Sequence, residues 1–177
     1  MQLINHPKET EQICNSIPPL KDLYVVPAFA GLGAPYWDAN AKGAIYGITL
    51  DIGKNEITKA TVEALAYQTK DVIKAMEEDC GKPISVLKVD GGASTNNYLM
   101  QFQSDILNVP VDRPKMIETT ALGAALLAGL KAGVWTTKDI ASIREVDQIF
   151  KPEMAIKTRV EKYSGWLDAI KRTQTIH

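Results

Sequence analysis

Residues 87–97, Leu87-Lys88-Val89-Asp90-Gly91-Gly92-Ala93-Ser94-Thr95-Asn96-Asn97, constrain the fold more than any other stretch of the chain. Val86, Leu87 and Val89 read as a short buried strand that ends at Asp90. Gly91-Gly92 then allows backbone angles that a Cβ disfavours. Ser94, Thr95 and Asn96 can each cap a helix, and Leu99, Met100, Gln103, Ile106 and Leu107 follow at helical spacing. Strand, glycine turn and helix start put free N–H groups and a positive dipole end at the rim of a sheet. An anion or a nucleotide fits there, and the absent side chains let a base or ribose approach the backbone. The same pattern also describes a tight turn that binds nothing.

Composition narrows the partners. The chain has 177 residues and a net charge of −1, with 45% hydrophobic residues. That suits one domain, or part of a larger one, with a sizeable core. A near-zero charge argues against nucleic acid, which needs a basic face. Cys14 and Cys80 are too few for a disulfide framework, so a reducing, cytoplasmic setting is expected. No apolar run reaches membrane-spanning length, and no signal-peptide core is visible at the start. His6 and His177 lie near the chain ends without spaced ligand partners, so no metal site is assigned.

Along the chain, residues 1–22 read as peripheral, closed by Pro18-Pro19. Residues 23–26 form a short strand leading into a loop rich in Gly, Pro and aromatics, residues 27–38. This loop is either a packed surface loop or a cleft wall. Residues 43–49 read as a second strand, with Gly47 marking a bulge or a close backbone approach. Asp51-Ile52-Gly53-Lys54 reads as an ordinary turn. The longest helix should run from Asn55 to about Asp79 and stop at Gly81. Its inward face would be Ile57, Thr61, Ala64, Leu65, Gln68, Val72 and Met76, with Gln68 read as a satisfied core amide ahead of a ligand contact. Lys59, Glu63, Lys70, Lys74 and Glu77 would lie largely elsewhere. Residues 109–112 suggest a third or edge strand because of Pro110. Residues 121–130 are apolar almost all round and should form a buried helix after Thr119-Thr120. Residues 134–156 read as irregular and partly exposed, and a final amphipathic helix spans Thr158 to about Arg172. Helices and strands alternate from Asn55 to Leu130, which argues for an α/β architecture. The strand through residues 86–89 should be central, with its ligand end at Asp90-Gly91-Gly92.

Three stretches carry a family resemblance. Phe29-Ala30-Gly31-Leu32-Gly33-Ala34-Pro35-Tyr36-Trp37-Asp38 is the most diagnostic. Gly43, Ile45, Gly47-Ile48, Glu56-Ile57 and Ala60-Thr61-Val62-Glu63 form a second signature. Asp90-Gly91-Gly92-Ala93, with Asn96-Asn97 and residues 100–105, forms a third. Together they resemble the C-terminal part of the bacterial glycerol kinases, a branch of the FGGY carbohydrate kinases in the actin, Hsp70 and hexokinase superfamily.

The resemblance covers nearly the whole chain. It implies an incomplete ribonuclease H-like (actin-like ATPase) C-terminal lobe, a mixed sheet flanked by helices. On this reading residues 1–177 are one nucleotide-side domain fragment, with 1–22 peripheral and 134–177 a C-terminal extension and helix. Gly92 would back the nucleotide and Asn96 contact it, with Gly91 and Ala93 shaping the turn. The implied reaction moves the γ-phosphate of ATP to glycerol, giving sn-glycerol 3-phosphate and ADP with Mg²⁺. The phosphate loop, the glycerol-holding residues and the general base would precede the point where this sequence begins. None of the chain's aspartates lies in a matching context, so no catalytic residue is assigned, and the chain alone is expected to be inactive. Its partners would then be the missing N-terminal half and, in a homo-oligomer, further copies. The alternative is a non-catalytic remnant or a complementing subunit of a split carbohydrate kinase.

Overall fold

The computed structural model describes residues 3–175, and of residues 141 and 142 the backbone only. His177 therefore lies outside the described residues. The elements run α1 (Glu9–Ser16), β1 (Tyr24–Val26), β2 (Ala44–Tyr46), α2 (Lys54–Cys80), β3 (Leu87–Lys88), a 3-10 turn (Gly92–Thr95) and α3 (Asn97–Leu107). Then follow β4 (Val111–Pro114), α4 (Thr119–Lys131), α5 (Thr137–Ile143), β5 (Val146–Phe150) and α6 (Ile156–Thr173).

Two sheets form. β1 and β2 pair antiparallel, Val25 opposite Ile45. The second sheet has the order β3-β4-β5, parallel between β3 and β4 and antiparallel between β4 and β5. The α/β class with a mixed sheet and flanking helices is as expected. The expected centre is not. β4 occupies the middle, and β3 is an edge strand with β4 as its one strand partner among the described residues. Pro110 precedes β4, and Pro114 falls where its register against β5 slips, so neither proline interrupts the ladder.

α2 is the long helix of the fold. It starts at Gly53, whose N–H is accepted by Glu56 at 2.9 Å, two residues before the expected cap at Asn55. It ends at Gly81, left-handed at φ 65°. The core gathers on Tyr67 of this helix. Its ring stacks on Trp166 of α6 at 5.2 Å and meets Phe102 of α3 edge-on at 5.5 Å. Tyr24, Val26, Met100, Ile106, Val111 and Ile170 complete the same cluster.

The buried face of α2 differs from the expected one. Lys59, Glu63 and Asp71 are buried, whereas Leu65, Val72 and Met76 are exposed. Each buried charge has a partner, which makes its burial tolerable. Lys59 Nζ donates to the carbonyls of Cys14, Ile17 and Pro18 at 2.9, 2.9 and 3.1 Å. Glu63 accepts from the Tyr98 hydroxyl at 2.5 Å and lies 3.6 Å from Lys162. Asp71 accepts from Tyr163 and from the Trp166 indole, both at 2.7 Å. Burial is the main cause that lowers the Lys59 ammonium and raises the Asp71 carboxyl from their ordinary values.

Three further expectations are corrected. α4 is not buried: Gly129 is its single buried residue, and Leu127 is 69% exposed. Residues 134–156 contain α5 and β5, concealed because four of the five β5 residues are exposed and show no inside–outside alternation. Residues 1–22 are not merely peripheral, because α1 packs on α2 and α3 and Cys14 is fully buried.

Candidate functional site

The glycine turn is built by the sheet. β3 continues its ladder past Lys88: Leu87 N–H donates to the Pro110 carbonyl at 2.9 Å and Val89 N–H to Asp112 at 3.1 Å. Gly91 N–H then reaches the Ile117 carbonyl at 2.9 Å, and Thr119 donates to the Asp90 carboxylate. These bonds swing the chain out at the carboxyl end of β3. Gly91 sits at φ 75°, ψ 174°, a region open almost only to glycine. The turn closes through the Ser94 hydroxyl on the Gly91 carbonyl and the Thr95 hydroxyl on the Gly92 carbonyl, both at 2.7 Å.

Beside this turn lies a cavity of about 870 Å³, lined by Gly92, Ala93, Thr95 and Asn96 and walled opposite by Pro7, Thr10 and Glu11 of the N-terminal segment. Val62, Leu65, Leu99 and Ile117 add apolar surface. Its size and mostly apolar lining suit a small molecule with a few polar anchors. A Cβ built on Gly91 or Gly92 meets nothing within 4 Å, so both glycines face open space. Gly92, Ala93 and Asn96 thus share one cavity, and Gly91 supplies the bend that opens it.

Asn96 is more committed than the sequence implied. Its side-chain oxygen accepts the Leu99 N–H at 2.9 Å, which caps α3. Its amide nitrogen donates to the Thr10 hydroxyl at 3.0 Å. One N–H and one lone pair remain for a ligand. Three residues that sequence reasoning passed over complete the support. Glu11 accepts from the Asn97 main-chain N–H at 2.8 Å and from the Asn97 amide at 2.9 Å. Arg113 of β4 donates to the Ser94 carbonyl at 3.0 Å and the Asn97 side-chain oxygen at 2.9 Å. Thr10 and Glu11 lie in a polar helix more than eighty residues away, and nothing in the local pattern there signals the contact.

A neighbouring cavity of about 550 Å³ runs between α2 and the β3 edge, with Gln68 on its wall. Gln68 is half-buried there, not a core amide. The loop of residues 27–38 lines neither cavity. It packs through buried Leu32 and Asp38 and holds Phe29 and Trp37 out to solvent.

Residues 5–132 match the FGGY family of carbohydrate kinases, C-terminal domain. The chain belongs to that family. A glycerol kinase of Fusobacterium nucleatum is 53% identical over 175 residues, covering 98% of this chain and 35% of the relative. Among solved structures, glycerol kinase of Plasmodium falciparum with ADP superposes with a TM-score of 0.87 at 36% identity. It covers 99% of this chain, which in turn covers 35% of that one. A gluconate kinase from Lactobacillus acidophilus, at 23% identity and TM-score 0.75 over 97% of this chain and 36% of its own, shares the fold. The FGGY chain described here thus spans about a third of the length of these relatives.

Proposed function

We propose that this chain is the C-terminal, nucleotide-side part of an ATP:glycerol phosphotransferase and that the turn at residues 91–96 holds the adenosine of ATP. The observation that carries the reading is the turn itself. In a chain 53% identical to a glycerol kinase, Gly91 bends the chain at a strand's carboxyl end and Gly92 faces the cavity with no Cβ. A flat base can lie against the Gly92 backbone, with Ala93, Leu65 and Leu99 as apolar neighbours. The spare Asn96 N–H can reach a ring nitrogen or a ribose oxygen.

Phosphoryl transfer depends on positioning and charge stabilisation at the γ-phosphate. This chain's part is to bind and orient the far end of the nucleotide. Mg²⁺, which the family's chemistry uses, finds no fitting donor set here: the described residues hold no group of three or more His, Cys, Asp or Glu placed for a metal ion. Glycerol and the remaining part of the enzyme are the partners on this reading. A cytoplasmic location belongs to the same reading. No helix of the described residues is long and apolar enough to cross a membrane. Residues 1–177 act as one domain on this reading, with 134–177 as a C-terminal extension and helix.

The test is an NMR titration of the chain with adenosine and with ATP. Adenosine should shift residues 91–96 with a dissociation constant on the order of millimolar, about −4 kcal/mol. ATP should bind about equally, because the γ-phosphate has no partner here. Gly92→Val should abolish the response without changing helix content. Absent shifts at residues 91–96, or a strong preference for ATP, would overturn the reading. The chain alone should also give no glycerol-dependent ATP turnover. Exposed apolar α4 favours a part that works joined to another over an inert remnant, so adding a chain with the missing region should restore turnover.

A further inference from the structure

The strand–turn–helix arrangement ordinarily offers a helix N-terminus to an anion. In this chain that position is already taken. α3 begins at Asn97, and its first N–H is bound by a Glu11 carboxylate oxygen at 2.8 Å. The other Glu11 oxygen accepts from the Asn97 amide at 2.9 Å, so both carboxylate oxygens are engaged on one residue. The N–H of Leu99 is capped by Asn96. Two of the first three donors of α3 are therefore satisfied by the protein, one of them by a full negative charge.

The carboxylate is held there from both sides. Arg113 grips the Asn97 side-chain oxygen at 2.9 Å, which fixes the amide with its NH₂ toward Glu11. The guanidinium is otherwise spent on Asp147 at 2.8 Å and on the Ser94 carbonyl and the Gln148 side chain. On the far side, Lys59 ties down the carbonyls of Cys14 in α1 and of Ile17 and Pro18 just after it, which holds the helix that carries Glu11. Glu11 also lines the cavity beside Gly92 and Asn96. The cations on the same cavity wall are weaker counterweights. Lys8 is exposed, and solvent screens it.

We propose that Glu11 determines which end of a nucleotide this cavity accepts. Its carboxylate occupies the α3 N-terminus as an internal anion, so the turn takes the uncharged nucleoside and rejects phosphate. This rests on the nucleoside reading of the turn. It gives the cavity a polarity: the base and ribose lie at residues 91–96, and the phosphates point away from α3.

The experiment titrates the 177-residue chain with inorganic phosphate and, separately, with adenosine, following the Gly92 and Asn97 amides by NMR. In the unaltered chain adenosine should move Gly92, and phosphate at tens of millimolar should leave Asn97 unmoved. In Glu11→Gln and Glu11→Ala, phosphate should shift the Asn97 amide and bind at least about threefold more tightly than to the unaltered chain. Phosphate binding at Asn97 in the unaltered chain would overturn the proposal, and that arm needs no variant to fold. So would a folded Glu11→Gln chain whose Asn97 amide ignores phosphate. If adenosine moves nothing while phosphate responds only after Glu11 is replaced, the nucleoside reading falls and the exclusion of phosphate by Glu11 stands.

Discussion

Thr175 donates both its main-chain N–H and its hydroxyl to the Asp38 carboxylate, at 2.6 and 2.8 Å. Asn40 and Ala41 add main-chain N–H bonds to the same group at 3.0 and 3.2 Å. The end of the aromatic loop and the residues after α6 are thereby tied at one buried carboxylate. The Thr175 main-chain bond is the largest cause holding Asp38 below the ordinary value of 3.8. A depressed folded value means the latch contributes stability above 3.8 and loses it as pH falls through the folded value. The Thr175 amide resonance should therefore titrate with a midpoint below 3.8, and Asp38→Asn should remove that titration. A midpoint at or above 3.8 would show that the latch is not formed in solution.

The two cysteines should differ sharply in reactivity. Cys14 is fully buried on α1, and burial pushes its thiol up to about 12. Cys80 is exposed at the end of α2. The thiolate is the reactive species, so burial and a raised value both protect Cys14. One equivalent of an aromatic disulfide reagent should react promptly with the native chain and a second only in denaturant. Because α1 also carries Thr10 and Glu11, Lys59→Met should expose Cys14. That change removes three hydrogen bonds to carbonyls at the end of α1 and should cost roughly 2–3 kcal/mol. Unchanged Cys14 labelling in Lys59→Met would show that α1 is held by other contacts.

What was legible in the sequence was local. The strand, glycine turn and cap at residues 87–97 have chemistry that belongs to neighbouring residues, and their order and geometry stand as read. The expected burial of the strand does not, because β3 lies at the sheet edge with Val86 and Lys88 exposed. Gly81 as a helix stop and Gly47 as a close approach are of the same kind. What failed needed distant partners. Lys59 and Glu63 look like a solvent face until α1, Tyr98 and Lys162 are placed against them. Leu65, Val72 and Met76 look like core, yet the chain has no element to cover them among its described residues. The turn was visible, but its support by Glu11 and Arg113 was not, because each reaches it across a tertiary gap.

Gly47 and Gly92 should separate stability from binding. Gly47 has φ 85°, and a Cβ there would lie 1.8 Å from the Asp22 carbonyl oxygen. Gly47→Ala should cost about 2–3 kcal/mol, since neither the backbone angle nor the space allows a side chain. Gly92 lies in the 3-10 turn facing open space, so Gly92→Ala should change stability by less than about 1 kcal/mol. Its cost should appear in adenosine binding instead. Equal denaturation midpoints for the two variants would contradict the close approach at Gly47.

Self-association follows from the surface the chain presents. α4 reads Thr-Thr-Ala-Leu-Gly-Ala-Ala-Leu-Leu-Ala-Gly-Leu-Lys, and an ordinary surface helix would carry a polar outer face that this one lacks. Leu122, Leu126 and Leu130 are half-buried, while Ala124, Ala125, Leu127 and Ala128 meet solvent. α2 adds the exposed Leu65, Val72 and Met76, and β3 leaves an edge unpaired among the described residues. Exposed apolar surface of this kind drives association when nothing covers it. Sedimentation should show mass rising with concentration, together with binding of an apolar dye. Leu127→Lys should lower both while leaving the far-ultraviolet spectrum unchanged, since that side chain packs little. A monodisperse monomer with low dye binding at high concentration would mean that α4 folds onto the body of the protein in solution.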